Sequence, residues 1–435
     1  MASTALRGAH IKDALWNATA CARAYYAPLD GDADSEVVIV GGGYTGLSAA
    51  LHLAELGINA RLLEAHSVGF GASGRNTGEV VPGWSVHSPA QIDQRFGIER
   101  GNAMNQWVRD SAALVFELID AHDIDCDVTR SGWLMPASNQ RRLAVACAKH
   151  DQWAERAANV SMLGAEETRA VTGSEHYIGA WLHRDGGTIQ PLSYARGLAR
   201  AAAAAGAHLH EQTAVTALRQ SNDGWTLQTA TGSVRAKRVV LATNAYDTAL
   251  NPALARLVVP LRLFQTATTP LGDNTARSIL PQGHGISDSR RVLWAFRKDR
   301  FNRLITGVTP LSTTATHAQM RAMAQHQLRT VFPQIAAPEI EYFWNGVVAV
   351  TLDRLPRFVE LNDNLYAGLG YSGRGIAMAT GMGKLLAQRS AGTPAAELAL
   401  PLSPLKPLPM HRLLAPLART RAWWWRQRDL WEDRT

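Results

Sequence analysis

The side chains that could do chemistry in this chain gather around glycine turns. The run "GGGYTG" sets Gly41, Gly43 and Gly46 in a G-x-G-x-x-G spacing, directly after the apolar stretch Val37 to Val40 and directly before an amphipathic stretch. In that context the first glycine permits a tight turn and the second lets backbone approach a pyrophosphate. The third lets a helix pack closely on a strand, and the helix N-terminus offers free N–H groups to the anion. Glu64 closes the next apolar run, where a carboxylate can accept from both hydroxyls of an adenosine ribose and repels a 2′-phosphate. The chemistry implied is that of a bound dinucleotide.

Two further glycine-rich segments bear on which dinucleotide. A nicotinamide enzyme would need a proton donor in a second domain, and the sequence offers no clear one. It offers instead a second strand-to-helix turn, "GLGYSGRGIA", ending at Ala377. One dinucleotide needs one pyrophosphate turn, so this one must face something else. A helix N-terminus beside the N1 and C2 carbonyl of an isoalloxazine would stabilise the negative charge that builds up on reduction. The third segment, "GFGASGRNTGEV", Gly69 to Val80, carries Arg75, Asn76 and, at its exit, Glu79.

Aromatic side chains on strands with period-two alternation are candidates for the walls of a substrate pocket: Trp84, Phe264, Trp294, Phe296, Trp344 and Tyr371. Core packing is the competing explanation for each. Arg297, in "RVLWAFRKDR", could meet a distal carboxylate of a substrate or lie solvated at a strand end. Glu79 could pair with a cationic group or be an ordinary solvated loop acid. Cys21, Cys126 and Cys147 are too few and too scattered for a disulfide framework or a thiolate zinc site, and no metal site is expected.

These residues need elements to hold them. "SEVVIVGGGYTGLSAALHLAELGINARLLEA" predicts strand, glycine turn, helix and strand, a βαβ unit. A helix-rich stretch from about Pro89 to Thr172 interrupts it. The pattern resumes near "GGTIQPLSYARGLARAAAAAGAHLHEQ" and continues through the paired strands of "WTLQTATGSVRAKRVVLATNAY". Leu257 to Thr351 then predicts an antiparallel sheet around one helix, and "NLYAGLGYSGRGIAMATGMGKLLAQRSAG" returns to strand, turn and helix with a glycine at its end. The expected fold is α/β, with a Rossmann-like dinucleotide domain (35–88, 185–256 and 352–395) interleaved with an α+β second domain of antiparallel sheet plus helices (89–184 and 257–351). An N-terminal arm, 1–34, precedes them.

The chain has 435 residues, 46% hydrophobic and 19% charged, as expected of a globular protein of two cooperating domains. Its formal net charge is +7, but from Lys406 onward seven Lys or Arg stand against three Asp or Glu, so +4 of it belongs to the tail. No basic, aromatic-interleaved stripe marks the body, and a nucleic-acid partner is not expected. The first forty residues lack the apolar stretch of a secretory signal, and no run reaches the roughly 20 apolar residues that span a bilayer, which predicts a cytoplasmic protein. In the tail, 396–435, Leu417, Trp424 and Trp431 recur at seven-residue spacing beside Trp423 and Leu430. That stripe fits packing on the protein's own surface or peripheral attachment to a membrane face or a protein partner.

Taken together, "LWNATA", "GYTGLSAALHLAE", "GFGASGRNTG", "LATNAY", "WNGVVAVTLDRLPR" and "GLGYSGRGIA" are collinear over nearly the whole chain with one family. The chain resembles the FAD-dependent D-amino-acid oxidase superfamily, and within it most closely the bacterial gamma-glutamylputrescine oxidase group. The resemblance implies a flavoprotein enzyme that oxidises a C–N bond of a small-molecule amine to an imine, passing electrons to oxygen or another acceptor. Carried over residue by residue, Gly41, Gly43, Tyr44, Thr45, Gly46, Glu64 and Ala65 would hold the ADP half of FAD. Ser73, Arg75, Asn76 and Thr77 would line flavin and pyrophosphate, with Val215 by the adenine and Thr243 and Asn244 near the pyrophosphate. Gly373, Arg374, Gly375 and Ile376 would meet the flavin ring.

Some relatives attach FAD covalently through a loop histidine or a C-terminal cysteine. Here Arg75 and Asn76 occupy that loop and no cysteine follows Cys147, so the FAD is expected to be non-covalent. Val348 stands where glycine oxidase and D-amino-acid dehydrogenases carry a carboxylate-gripping arginine, and Ala377 where sarcosine oxidases carry a lysine. Without those anchors an amine lacking an adjacent carboxylate fits better than an α-amino acid. Glu79 replaces a glutamine more usual in close relatives and could pair with a cationic end of a polyamine, and Arg374 replaces a histidine; Arg374 could raise the flavin potential or anchor its loop. The resemblance leaves two other readings open: a D-amino-acid dehydrogenase feeding a membrane quinone, and a flavin-binding subunit or electron carrier without turnover of its own.

Overall fold

The computed structural model describes residues 14–246, 250–310, 315–408 and 411–432, with part of the side chains in the last stretch. Two eight-stranded sheets organise them. The first runs in the order Arg357–Asn362, Leu365–Leu369, Ser233–Leu241, Ala33–Val40, Ala60–Leu63, His208–His210, with the hairpin strands Ala217–Ser221 and Gly224–Gln228 added on Ser233–Leu241. From Leu365–Leu369 to His208–His210 every neighbour is parallel. Its central strand is apolar on both faces from Val37 to Val40, as a parallel strand covered by helices must be.

One of those helices, Tyr44–Glu55, leaves the glycine turn and packs on Gly375–Ser390, the helix of the second turn. The two approach closely because Gly383 presents no side chain: a Cβ there would meet the Ser48 Cβ and the Thr45 carbonyl at 2.5 Å. Ser48 Oγ donates to the Thr380 carbonyl across the same contact (2.7 Å). The two glycine turns are thereby fixed side by side.

The second sheet runs Ile340–Val350, Val259–Thr268, Leu304–Val308, Ala295–Lys298, Gly285–Ser287, Trp133–Ala137, Gly179–His183, Val160–Leu163. It is antiparallel except where Gly285–Ser287 meets Trp133–Ala137. The α/β architecture expected from the sequence is therefore present, and the two sheets alternate along the chain.

The stretch from Pro89 to Thr172 departs from its helical expectation. It contains the helices Pro89–Phe96, Ile98–Ala121, Gln140–Ala154 and Ala165–Thr172, but also two strands of the second sheet. "WLMPA" is buried at all five positions and "VSML" has no buried–exposed alternation, so neither carries a period-two signal. In addition, Ile98–Ala121, which the sequence groups with the second domain, packs against the first-sheet helix Gly375–Ser390, where Gly381 makes room for Ser111.

The described residues before the first strand, from 14 onward, are anchored to the body. Trp16 is fully buried, and its indole N–H donates to the Asn76 carbonyl at 2.7 Å. At the other end of the chain, helix His411–Glu432 leaves Leu417, Trp423, Trp424 and Trp431 exposed but buries Asp429 and Glu432 against the body. Leu430 lies among the side chains outside the described set.

Candidate cofactor and substrate site

A continuous cavity of about 1040 Å³ runs between the sheets. It is at the upper end of the range for small-ligand pockets, as an extended dinucleotide together with a substrate would require. Its wall includes Gly41, Gly43, Tyr44 and Thr45 from the first turn, and Glu64, Ala65 and Val215 near it. Ser73, Arg75, Asn76, Thr77 and Glu79 come from the third glycine segment. Thr243 and Asn244 join them from the end of a central strand, and Tyr371, Gly373, Arg374, Gly375 and Ile376 from the second turn. Segments far apart in sequence thus converge on one space.

Gly46 is absent from the wall, and its place explains its type. A Cβ there would collide with the Gly41 carbonyl oxygen, so it serves the seating of the helix on the strand. Gly41 itself has φ +110°, and a Cβ on it would lie 2.9 Å from the Ala242 carbonyl oxygen. Glu64 accepts from the Gly42 N–H (2.6 Å) and the His66 N–H (2.8 Å), fixing the turn; burial raises its pKa above the ordinary carboxylate value despite those bonds.

The Arg75–Asn76 loop is held from within and from behind. The Asn76 amide donates to the carbonyls of Ala72 and Ser73 and accepts from the Gly78 N–H, so it shapes the loop. Arg75 donates through Nε to the Phe70 carbonyl (2.8 Å) and through Nη1 to the Asn345 carbonyl (3.2 Å). Trp344, expected as a substrate contact, stands behind this loop instead: its indole N–H donates to the Arg75 carbonyl (3.0 Å) and its ring meets Trp16 edge-on.

Four other candidates also lie outside the wall. Trp84 is buried, donating to Asn105 Oδ1 (2.8 Å) beside Trp107. Trp294 lies under the Arg290 guanidinium, and Phe296 packs on Phe332 on the far face of its strand. Arg297 shares a strand face with the wall residue Ala295, but the Thr77–Gly78 backbone covers it. It is 1% exposed, donates to the carbonyls of Gly78 and Ile189, and lies over the Trp16 ring, so it is neither solvated nor open to a substrate carboxylate. A Cβ on Gly78 would collide with its guanidinium.

Glu79 is not a solvated acid. Its Oε2 accepts from Ser287 Oγ (2.7 Å) and Trp133 Nε1 (3.1 Å), both on the second sheet, while Oε1 is shielded from solvent with no hydrogen-bond partner among the described residues. Burial pushes its pKa up to about 7, against the opposing pull of those bonds and of the Arg374 and Arg297 charges. Arg374 lies over the Trp133 ring at 5.0 Å, and its buried Nε has no hydrogen-bond partner among the described residues; burial lowers its pKa to about 10. Tyr371 completes this corner, its hydroxyl 2.6 Å from Thr45 Oγ1.

Several wall residues carry no signal in the sequence. Ser287 acts on an acid 208 positions away, and Leu293 and Gln265 belong to no motif. Tyr246 could have been found, since it ends "LATNAY"; its hydroxyl accepts from the Val347 N–H (2.9 Å).

The wall fits the FAD that the resemblance implies. Gly373 and Gly375 have open space where a Cβ would stand, a cradle that side chains would fill. Among the described residues no group of three or more His, Cys, Asp or Glu could hold a metal ion. None of the three cysteines lines the cavity. Acid precipitation should therefore release all of the flavin into the supernatant, with unchanged flavin content in a Cys→Ser triple variant; yellow colour retained in the pellet would show a covalent bond instead.

Comparisons with known proteins agree with this geometry. Residues 36–389 match the family model described as FAD dependent oxidoreductase, DAO. Gamma-glutamylputrescine oxidoreductase of Escherichia coli K12 is 35% identical over 369 residues, covering 83% of this chain and 86% of that protein. A probable oxidoreductase, OrdL, of Haemophilus influenzae Rd is 30% identical over 84% of this chain and 85% of its own length. Among solved structures, glycine oxidase from Geobacillus kaustophilus superposes with a TM-score of 0.69 at 22% identity, over 83% of this chain and 96% of that one.

Proposed function

The chain belongs to the DAO family of FAD-dependent oxidoreductases, and on that premise we propose that it oxidises the C–N bond of a small amine, a polyamine derivative or a similar compound, to an imine. Bound FAD would supply the two-electron acceptor, with flavin N5 receiving hydride from the amine carbon. The chain's residues are left to bind the amine, orient it and keep water away.

The observation that carries this reading is the Glu79 carboxylate in the cavity wall, with one oxygen unpaired. Once ionised, a carboxylate so placed gives the cavity wall a negative charge, which favours a cationic nitrogen. Val348, at the position of a carboxylate-gripping arginine in some relatives, does line the cavity and offers only an apolar surface. Arg374, at the N-terminus of helix Gly375–Ser390, adds positive charge beside the helix dipole, where negative charge on a reduced flavin would be stabilised. The gamma-glutamylputrescine oxidoreductase likeness supports an amine substrate as well. A cytoplasmic location and oxygen or another electron acceptor belong to the same proposal.

The test is an anaerobic screen of amines and D-amino acids against the yellow protein. Bleaching by polyamine derivatives, with D-alanine inert, is the expected result. Reduction by D-amino acids alone would replace the proposal with a D-amino-acid dehydrogenase.

A further inference from the structure

The loop Asp288–Trp294 joins two strands whose facing ends, Ser287 and Ala295, both line the cavity. Its base is closed internally: the Asp288 N–H donates to the Trp294 carbonyl (2.9 Å), and Asp288 Oδ1 accepts from the N–H groups of Arg290 and Trp294. Leu293 is a wall residue and yet 42% exposed, which places it at the mouth. The tip of the loop, however, is held by the far end of the chain.

Asp429, in helix His411–Glu432, accepts from the Val292 N–H through Oδ2 (3.0 Å) and from the Arg291 N–H through Oδ1 (3.3 Å). Glu432 takes the Arg291 guanidinium in a two-pronged pair, Oε2 from Nη1 at 2.7 Å and Oε1 from Nη2 at 2.8 Å. The same carboxylates are tied to the helix Gln140–Ala154 and its cap. Arg142 meets Asp429 at 3.3 Å, Arg141 meets Glu432 at 3.1 Å, and Asn139 Nδ2 donates to the Glu432 carbonyl at 3.0 Å. Both carboxylates are buried, at 3% and 5% exposure.

We propose that the C-terminal helix is a working part of the substrate cavity, with Asp429 and Glu432 acting as positioning residues that hold the Arg291–Val292 tip, and with it Leu293, across the mouth. Backbone amides bonded to a buried carboxylate cannot swing outward without giving up those charge-assisted bonds and leaving the carboxylate with Arg142 as its remaining partner, so the clamp resists opening. Ser287, at the root of the same loop, donates to Glu79, so the clamp also steadies the acid in the wall.

The test compares three proteins carrying bound FAD. Asp429→Ala/Glu432→Ala removes the clamp, Arg291→Met removes only the loop's side of the ion pair and leaves Asp429 with Arg142, and Trp424→Ala alters an exposed tail residue. The readouts are hydrogen exchange in residues 288–294, iodide quenching of flavin fluorescence, and KM against kcat for whichever amine or amino acid reduces the flavin. Expected for the double variant are about tenfold faster loop exchange, stronger quenching and a KM about tenfold higher with kcat little changed and FAD content intact. Arg291→Met should fall between it and the parent, and Trp424→Ala should match the parent. Unchanged loop exchange in both clamp variants would overturn the proposal, as would a KM and quenching that stay at parental values while the loop loosens. Exchange and quenching do not depend on the substrate's identity, so they stand apart from the amine reading.

Discussion

Glu79→Gln raises the amine concentration needed for half-maximal flavin reduction by roughly 10-fold at pH 8, because the cavity wall loses the negative charge that attracts an ammonium group. The parent is the pH-sensitive partner in this comparison. With its pKa at about 7, Glu79 is neutral in acid and becomes a carboxylate as pH rises through 7. Its attraction for an ammonium group, which keeps its charge to about pH 10, therefore grows over that interval. Glutamine has nothing to titrate, so the variant's dependence on amine concentration should be flat where the parent's falls. A parental pH profile retained by Glu79→Gln would remove the acid from substrate recognition.

The same substitution has a stability signature of definite sign. The folded-state pKa of Glu79 is raised above its unfolded value near 4.5, so folding favours the protonated form. That contribution is present below pH 4.5 and is lost as pH rises through 7. Thermal unfolding should thus show the variant gaining on the parent between pH 5 and pH 8, by several degrees at the upper end. Stability and binding move in opposite directions on this one residue, as expected of an acid kept in a poorly solvated wall for function.

How much of this was legible in the sequence depends on the range of each signal. Gly41, Gly43, Gly46 and Glu64 act within one βαβ unit, where spacing alone carries the geometry: Gly41, Gly43 and Glu64 line the cavity, and Gly46 seats the helix behind it. Arg75 and Asn76 lie on the cavity as expected, but their hydrogen bonds to Phe70, Ala72 and Ser73 give them a loop-shaping role that no motif states. Trp344 and Arg297 misled because strand alternation gives a face, not what covers that face. The Arg75 backbone covers one and the Thr77–Gly78 backbone the other. Ser287 and the Asp429–Glu432 clamp were invisible because each pairs residues more than a hundred positions apart across different elements. Glu79 stood out as an unusual residue type in its loop, but its burial belongs to the second sheet, which supplies Trp133 and Ser287.

Gly46→Ala should yield protein with less than about a tenth of the parental flavin content, because a single methyl group has nowhere to go. The added Cβ would collide with the Gly41 carbonyl oxygen and lie 3.2 Å from Ile39 Cγ2. Neither obstacle can retreat. Ile39 is fully buried in the central strand, and Gly41 is pinned at φ +110° with its own Cα face against the Ala242 carbonyl and its N–H bonded to the Leu63 carbonyl. The helix Tyr44–Glu55 would have to lift, but Gly383 and Ser48 lock it against helix Gly375–Ser390. Lifting it would carry the free N–H groups of its first turn away from the pyrophosphate position and part the two glycine turns together. Gly272→Ala is the matched control, since nothing lies within 4 Å of a Cβ there and its φ is −61°. Flavin content and thermal unfolding, measured on both, separate the cases. Full flavin in Gly46→Ala would mean that the helix can shift off the strand, and that close seating is not what the third glycine provides.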